Sequence, residues 1–268
     1  MGESFLSPIR TVVLRMFPLD LPQDPGRRFG QLAAEAAAVT LVASTVSWIV
    51  AGAHAGLVAV FLVSAALSDR VVGLLEENRI GIWVRNETGW QANGRTAAGL
   101  IALFTGILLV DLGIAFALGQ AGREVWFGFG ERTGSMAFGS FVPLLAHNLN
   151  VLLTPVVLGF LFRAYGGMLA LAWNAGVWSS VLISTAESTE AGPWVLVAVA
   201  PHLALETTAY VLGVLAAIFA GRAVLTHDSQ HSKLSRALLA CGVLLAISVG
   251  LLALGAAVES RLPAFILG

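Results

Sequence analysis

Charge is scarce in this chain. Only 12% of its 268 residues are Asp, Glu, Lys or Arg, about half of what a soluble domain carries. With 57% hydrophobic residues and a mean hydropathy of +0.84, the composition excludes a soluble globular protein. Cysteine is nearly absent: Cys241 alone rules out an intrachain disulfide and a cysteine-rich metal site. A net charge of −1 offers nucleic acid no basic surface. There is no nucleotide-binding motif, no His-Glu-x-x-His, no internal repeat, no low-complexity tract and no soluble domain. No cleavable leader is expected either. The first apolar run begins only after Arg27-Arg28, with no small-residue cleavage site beyond it, so the first span is expected to remain in the mature protein.

What fills the chain instead is apolar sequence in lengths suited to a hydrocarbon layer of about 30 Å. Segments near 31–51, 54–68, 96–118, 139–163, 166–186, 194–222 and 235–258 stand out, so an all-α polytopic membrane bundle of about seven segments is expected. The second is short. It reads as re-entrant, as strongly tilted, or as continuing into 71–75, after a turn at Gly52-Ala53-His54-Ala55-Gly56. The basic residues set an orientation. With the N-terminus inside, Arg10, Arg15, Arg27, Arg28, Arg70, Arg79, Arg85, Arg95, Arg163, Arg222, Lys233 and Arg236 lie on the cytoplasmic side, against Arg123, Arg132 and Arg261 outside. Twelve against three is a strong positive-inside bias, and it puts the C-terminus outside.

Three regions follow: a cytoplasmic stretch 1–28, a transmembrane bundle 29–258 and an external tail 259–268. In the first, Ser7-Pro8 opens a helix, and Ile9, Val12, Val13, Met16 and Phe17 form one apolar stripe. That describes an amphipathic helix lying on the inner leaflet; a partner-binding helix is the alternative. Trp126, Phe127 and Phe129 in the loop 119–135 read as an interfacial anchor.

Function is sought where polarity is costly. Between 194 and 220 the one charged residue is Glu206. A carboxylate at the centre of a spanning helix costs roughly 2.5–3.5 kcal/mol even on the mildest scale. His202 precedes it by one turn and shares its face. The Gly213, Ala217, Gly221 stripe of the same helix lets a neighbour approach, which turns that face inward. Pro201 is expected to kink the helix beside the pair.

One span earlier, Asn174 lies on a stripe with Gly166 and Ala170. Two spans earlier, His147, Asn150 and Thr154 align, with Asn148 about 100° round the helix. Asp111 sits in the outer half of the third span. His147, Asn148, Asn174, His202 and Glu206 are thus expected at similar depth, converging on one buried polar site. Each has a plainer reading: asparagines as interhelical glue, His202–Glu206 as a satisfied buried pair, Asp111 as a wetted interfacial residue. Glu76-Glu77-Asn78-Arg79 reads as a solvated face.

Residues 139–222 resemble the stage II sporulation protein M family of multi-pass bacterial and archaeal membrane proteins. The family's Asn-Asn, Asn-Gly and Pro-His-Gly-x-x-Glu motifs find counterparts in His147-Asn148, Asn174-Ala175 and Pro201-His202-Leu203-Ala204-Leu205-Glu206. His147, Ala175 and Leu203 depart from the pattern. The resemblance implies a component of the cytoplasmic membrane that anchors cell-wall-degrading enzymes, or that works in the maturation and export of circular bacteriocin peptides.

Three function classes fit these residues. The first is a scaffold or subunit of an envelope-assembly or peptide maturation and export complex, contacting lipid and other membrane or envelope proteins. The second is an intramembrane peptide-processing enzyme holding zinc on His147 and His202, with Asp111 or Glu206 as third ligand or base. The third is a proton-coupled transporter with His202 and Glu206 as relay, for which a pump would need a partner ATPase.

Overall fold

The computed structural model describes residues 21–127, 140–188, 192, 194–226 and 231–261. The expected helix at 7–17, Phe129 and the tail beyond 261 lie outside the described residues. Six helices are described, and no strand is among the described residues: α1 (Pro25–Ala51), α2 (Ala55–Trp83), α3 (Gly89–Trp126), α4 (Phe141–Ser188), α5 (Trp194–Thr226) and α6 (His231–Glu259). Five stretches are long and apolar enough to cross a membrane: Pro25–Trp83 taken as one, Gly89–Trp126, Phe141–Ser188, Trp194–Leu225 and Ala237–Glu259. The protein is an all-α multi-pass membrane protein.

Local sequence explains where the helices begin and break. Asp24 caps α1, its carboxylate accepting from the Arg27 amide at 2.8 Å ahead of a first-turn Pro25. Thr88 and Gln91 cap α3 reciprocally. α1 ends at Gly52, whose φ of 51° suits glycine, and a single 3-10 turn at Gly52–His54 leads into α2. Across that turn α1 and α2 run antiparallel, because Arg28 reaches Glu77 and Arg70 reaches Glu35. α2 is therefore one helix of 29 residues, well beyond the short segment that hydropathy marks.

α4 breaks at Arg163, where φ is 54° and ψ −129°. The chain reverses there. A Cβ on Gly166 would lie 2.1 Å from the Leu158 carbonyl oxygen, whereas eight residues of straight helix separate such atoms by about 12 Å. Both halves of α4 then face the same turn of α5, Gly159 beside Ala217 and Gly167 beside Val214. The small-residue face of α5 is packed on α4: a Cβ on Gly221 would meet the Phe160 carbonyl at 2.6 Å.

The core runs through Leu32, Leu67, Leu103, Leu171, Leu215 and Leu252, each fully buried. Large apolar side chains elsewhere point outward, Ile49, Phe116 and Leu239 among them, as lipid-facing positions do. Trp126 and Phe127 do not anchor the surface. They are 5% and 3% exposed, and Trp126 stacks on Trp48 at 5.5 Å.

The ends of α1–α3 that carry most of the arginines form a paired network. Arg28 binds Glu77 through both guanidinium nitrogens at 2.8 and 2.6 Å, and Arg95 binds Glu87 at 2.6 Å. The Arg95 guanidinium holds the Glu87 carboxyl below its ordinary range. Two turns deeper, Arg70 and Glu35 pair at 2.8 Å with both side chains buried. The Glu76–Arg79 end is a solvated face, but Asn78 turns inward and donates to Asn93 at 2.9 Å and Thr96 at 3.2 Å.

Candidate metal centre

A different polar group lies where the first half of α4 and helices α5 and α6 meet. Its foundation is the i, i+4 pair on α5, which puts His202 and Glu206 on one inward face at 3% and 4% exposure. α5 runs through Pro201 as a continuous helix. The third member is Glu259 in the last turn of α6, 7% exposed. Its Oε2 lies 3.4 Å from His202 Nε2, and Glu206 Oε2 lies 3.6 Å from the same nitrogen. Among the described residues, this is the one group of three or more metal-ligating side chains whose donor atoms all come within 4.8 Å of one another.

The imidazole is oriented from two sides. Nδ1 lies 3.2 Å from the Gly255 carbonyl oxygen. A carbonyl only accepts, so Nδ1 carries the hydrogen and donates. The ring stacks on Trp178 from the second half of α4, with centroids 6.1 Å apart and planes 8° from parallel. In the neutral ring, Nε2 is then a bare lone pair facing two carboxylate oxygens. Three acceptors turned toward one point, out of water, repel unless a cation lies between them. The 3.4 and 3.6 Å separations exceed a normal N–H···O bond. They are close to the donor-to-donor spacing of about 3.4 Å that a small four-coordinate metal ion sets between its ligands.

The supporting contacts fit the same purpose. The Asn148 amide donates to Glu206 Oε1, which leaves Oε2 for the centre. A buried, ligating carboxylate held by a hydrogen bond and a ligating imidazole held by a carbonyl are the supports metal sites use. Asn148 and Trp178 lie equally far, fifteen residues, on either side of Arg163. The reversal of α4 is what brings both to His202 and Glu206.

The sequence-derived site residues divide. Asn148, His202 and Glu206 come together. Asn174 is buried one turn from Trp178, on the helix that covers the imidazole. His147 is exposed and stands outside the cluster. Adjacent helical residues point about 100° apart, and the inward stripe of α4 is Leu144, Asn148, Leu152, Pro155 and Gly159, so the face shared by His147, Asn150 and Thr154 looks outward. Asp111 is buried elsewhere, against α1 and the second half of α4.

Glu259 follows the last apolar run, so in the sequence it reads as the start of the external tail. α6 in fact runs through it. The readable signal was the inward stripe Ser248, Leu252, Ala256 and Glu259, spaced i, i+4, i+8 and i+11. Among known proteins, the chain matches no family model, no curated sequence and no solved structure.

Proposed function

We propose that this chain is a multi-pass protein of a prokaryotic cytoplasmic membrane whose α4–α6 centre binds a divalent metal, zinc by its donor set, for intramembrane hydrolysis of a peptide. One observation carries the reading. One imidazole nitrogen and two carboxyl groups converge in burial with their donor atoms within 4.8 Å of one another, and no arginine or lysine is in the described contacts of the group. Three protein ligands leave a fourth position, and a zinc-bound water there ionises near pH 7, which supplies a nucleophile. The peptide substrate, and membership of an envelope-assembly or peptide maturation and export complex, rest on the resemblance of 139–222 to the stage II sporulation protein M family.

The topology belongs to this proposal too. The reversals at Gly52–His54 and Arg163 divide two of the five long stretches and support seven crossings. The arginine distribution supports an inside N-terminus and an outside C-terminus. The centre then lies about 10–12 Å, seven or eight residues, below the outer ends of α4 and α5.

Full-length protein purified in detergent without chelator is expected to carry about one zinc per chain and to lose it on Glu259→Gln. A protein that stays metal-free under zinc titration, yet moves protons in vesicles in a Glu206-dependent manner, would replace the enzyme with a relay. The same three groups could share a proton instead of a metal.

A further inference from the structure

Apart from Glu35, Glu206 and Glu259, the bundle buries the carboxylate of Asp111, 7% exposed in the outer half of α3. None of the described hydrogen bonds or ion pairs reaches it. It faces a cavity of about 10 Å³ for a water-sized body, walled by Thr40 and Ser44 of α1, Gly56 of α2, Gly176 of α4 and Trp126. That is space for one water-sized particle. Among the lining residues Asp111 is alone in bearing a charge, and none is cationic.

Several oxygen-bearing residues line the cavity. Ser44 Oγ is buried without any hydrogen-bond partner. Thr40 Oγ1 spends its hydrogen on the Ala36 carbonyl at 2.7 Å, so only lone pairs remain to it. Trp126 ends α3, where carbonyls lack helical donors, and its carbonyl oxygen presses on Gly56, 1.7 Å from where a Cβ would stand. Asp111 Oδ2 lies 3.7 Å from the Cβ position of Gly176. Carboxylate and hydroxyl thus line one void without bonding to each other, and a particle between them would satisfy both.

We propose that this cavity is a monovalent-cation site of sodium's size, formed by Asp111, Ser44 and Thr40 and separate from the α4–α6 centre. One carboxylate in a low-dielectric interior is neutralised by one positive charge, whereas a divalent ion would leave a net charge buried. Hydroxyl, carbonyl and carboxylate oxygens suit a hard cation. The site involves helices α1, α2, α3 and the second half of α4, so its occupancy ties the α1–α3 unit to the rest of the bundle.

The test is thermal unfolding of the full chain in detergent with a chelator present, comparing sodium chloride with choline chloride at equal ionic strength. The melting temperature is expected to rise by several degrees with sodium along a saturating curve. Asp111→Asn is expected to melt alike in both salts. Ser44→Ala is expected to raise the half-saturating sodium concentration several-fold with melting in choline unchanged, and it decides the matter alone if Asp111→Asn does not fold. Equal melting of the wild type in both salts would overturn the proposal. So would a melting temperature that falls with rising pH regardless of cation, which would mean a protonated Asp111. An unchanged sodium midpoint in Ser44→Ala would equally reject the site.

Discussion

Two regions of this molecule bury carboxylates in opposite ways. In the α1–α3 unit the acids meet guanidinium groups: buried Glu35 meets Arg70 at 2.8 Å, and half-buried Glu77 meets Arg28 at 2.6 Å. In the α4–α6 unit Glu206 and Glu259 face a single imidazole nitrogen, with no arginine or lysine among their described contacts. The first arrangement is complete within the chain. It holds helices together and leaves nothing for a ligand to do. The second, on the reading proposed above, is completed by one cation, and a buried, well-supported group of acceptors is where a binding centre is expected.

Breaking the complete pair should have the largest effect on stability. Arg70→Met strands Glu35 in the core, and loss of one partner of a buried pair costs about 3–5 kcal/mol. Chemical denaturation in detergent should register that loss, and adding Glu35→Gln should recover most of it. If the single variant is as stable as wild type, the pair is not buried in the membrane protein as described.

The α4–α6 unit should respond inversely. Glu206→Gln and Glu259→Gln remove an acceptor from a group that already has too many, so folding should be unharmed while zinc affinity drops at least about 100-fold, roughly 2.7 kcal/mol. Calorimetric zinc titration beside a thermal melt separates the two effects. A variant that both unfolds and loses metal would place Glu206 and Glu259 in the same structural class as Glu35.

Smaller losses are expected one step out. Asn148→Ala frees the Glu206 carboxylate from its hydrogen bond and should weaken zinc binding about 10- to 100-fold. His147→Ala should leave affinity within about twofold, since an exposed imidazole outside the cluster contributes no ligand. A large effect at His147 would mean that the two halves of α4 are rotated relative to this arrangement.

The sequence revealed the centre unevenly, for reasons visible in single residues. His202 and Glu206 were legible because i, i+4 spacing on one apolar helix is itself geometry. Asn148 is legible as a candidate, but the sequence does not separate it from His147: His147, Asn150 and Thr154 align just as well, and only packing against α5 shows which stripe is inward. Glu259 was hidden by a boundary, since an acid at the end of an apolar run reads as the start of a tail. Trp178 carried no mark that separates an aromatic shelf from ordinary core. Arg70 was counted among cytoplasmic charges, where the positive-inside rule holds regardless of partner, so Glu35 went unread. The two reversals fared differently. The glycine turn at Gly52 is written in composition, whereas Arg163 adopts positive φ against its own preference, so residue type gives no sign of it.

X-ray absorption at the zinc edge of the zinc-loaded, full-length protein tests the central claim most directly. The account predicts one imidazole nitrogen and otherwise oxygen ligands at about 2.0–2.2 Å, without sulfur, and loss of the nitrogen signature in His202→Ala. Two or more imidazoles, a sulfur ligand, or a spectrum indifferent to His202 would contradict it.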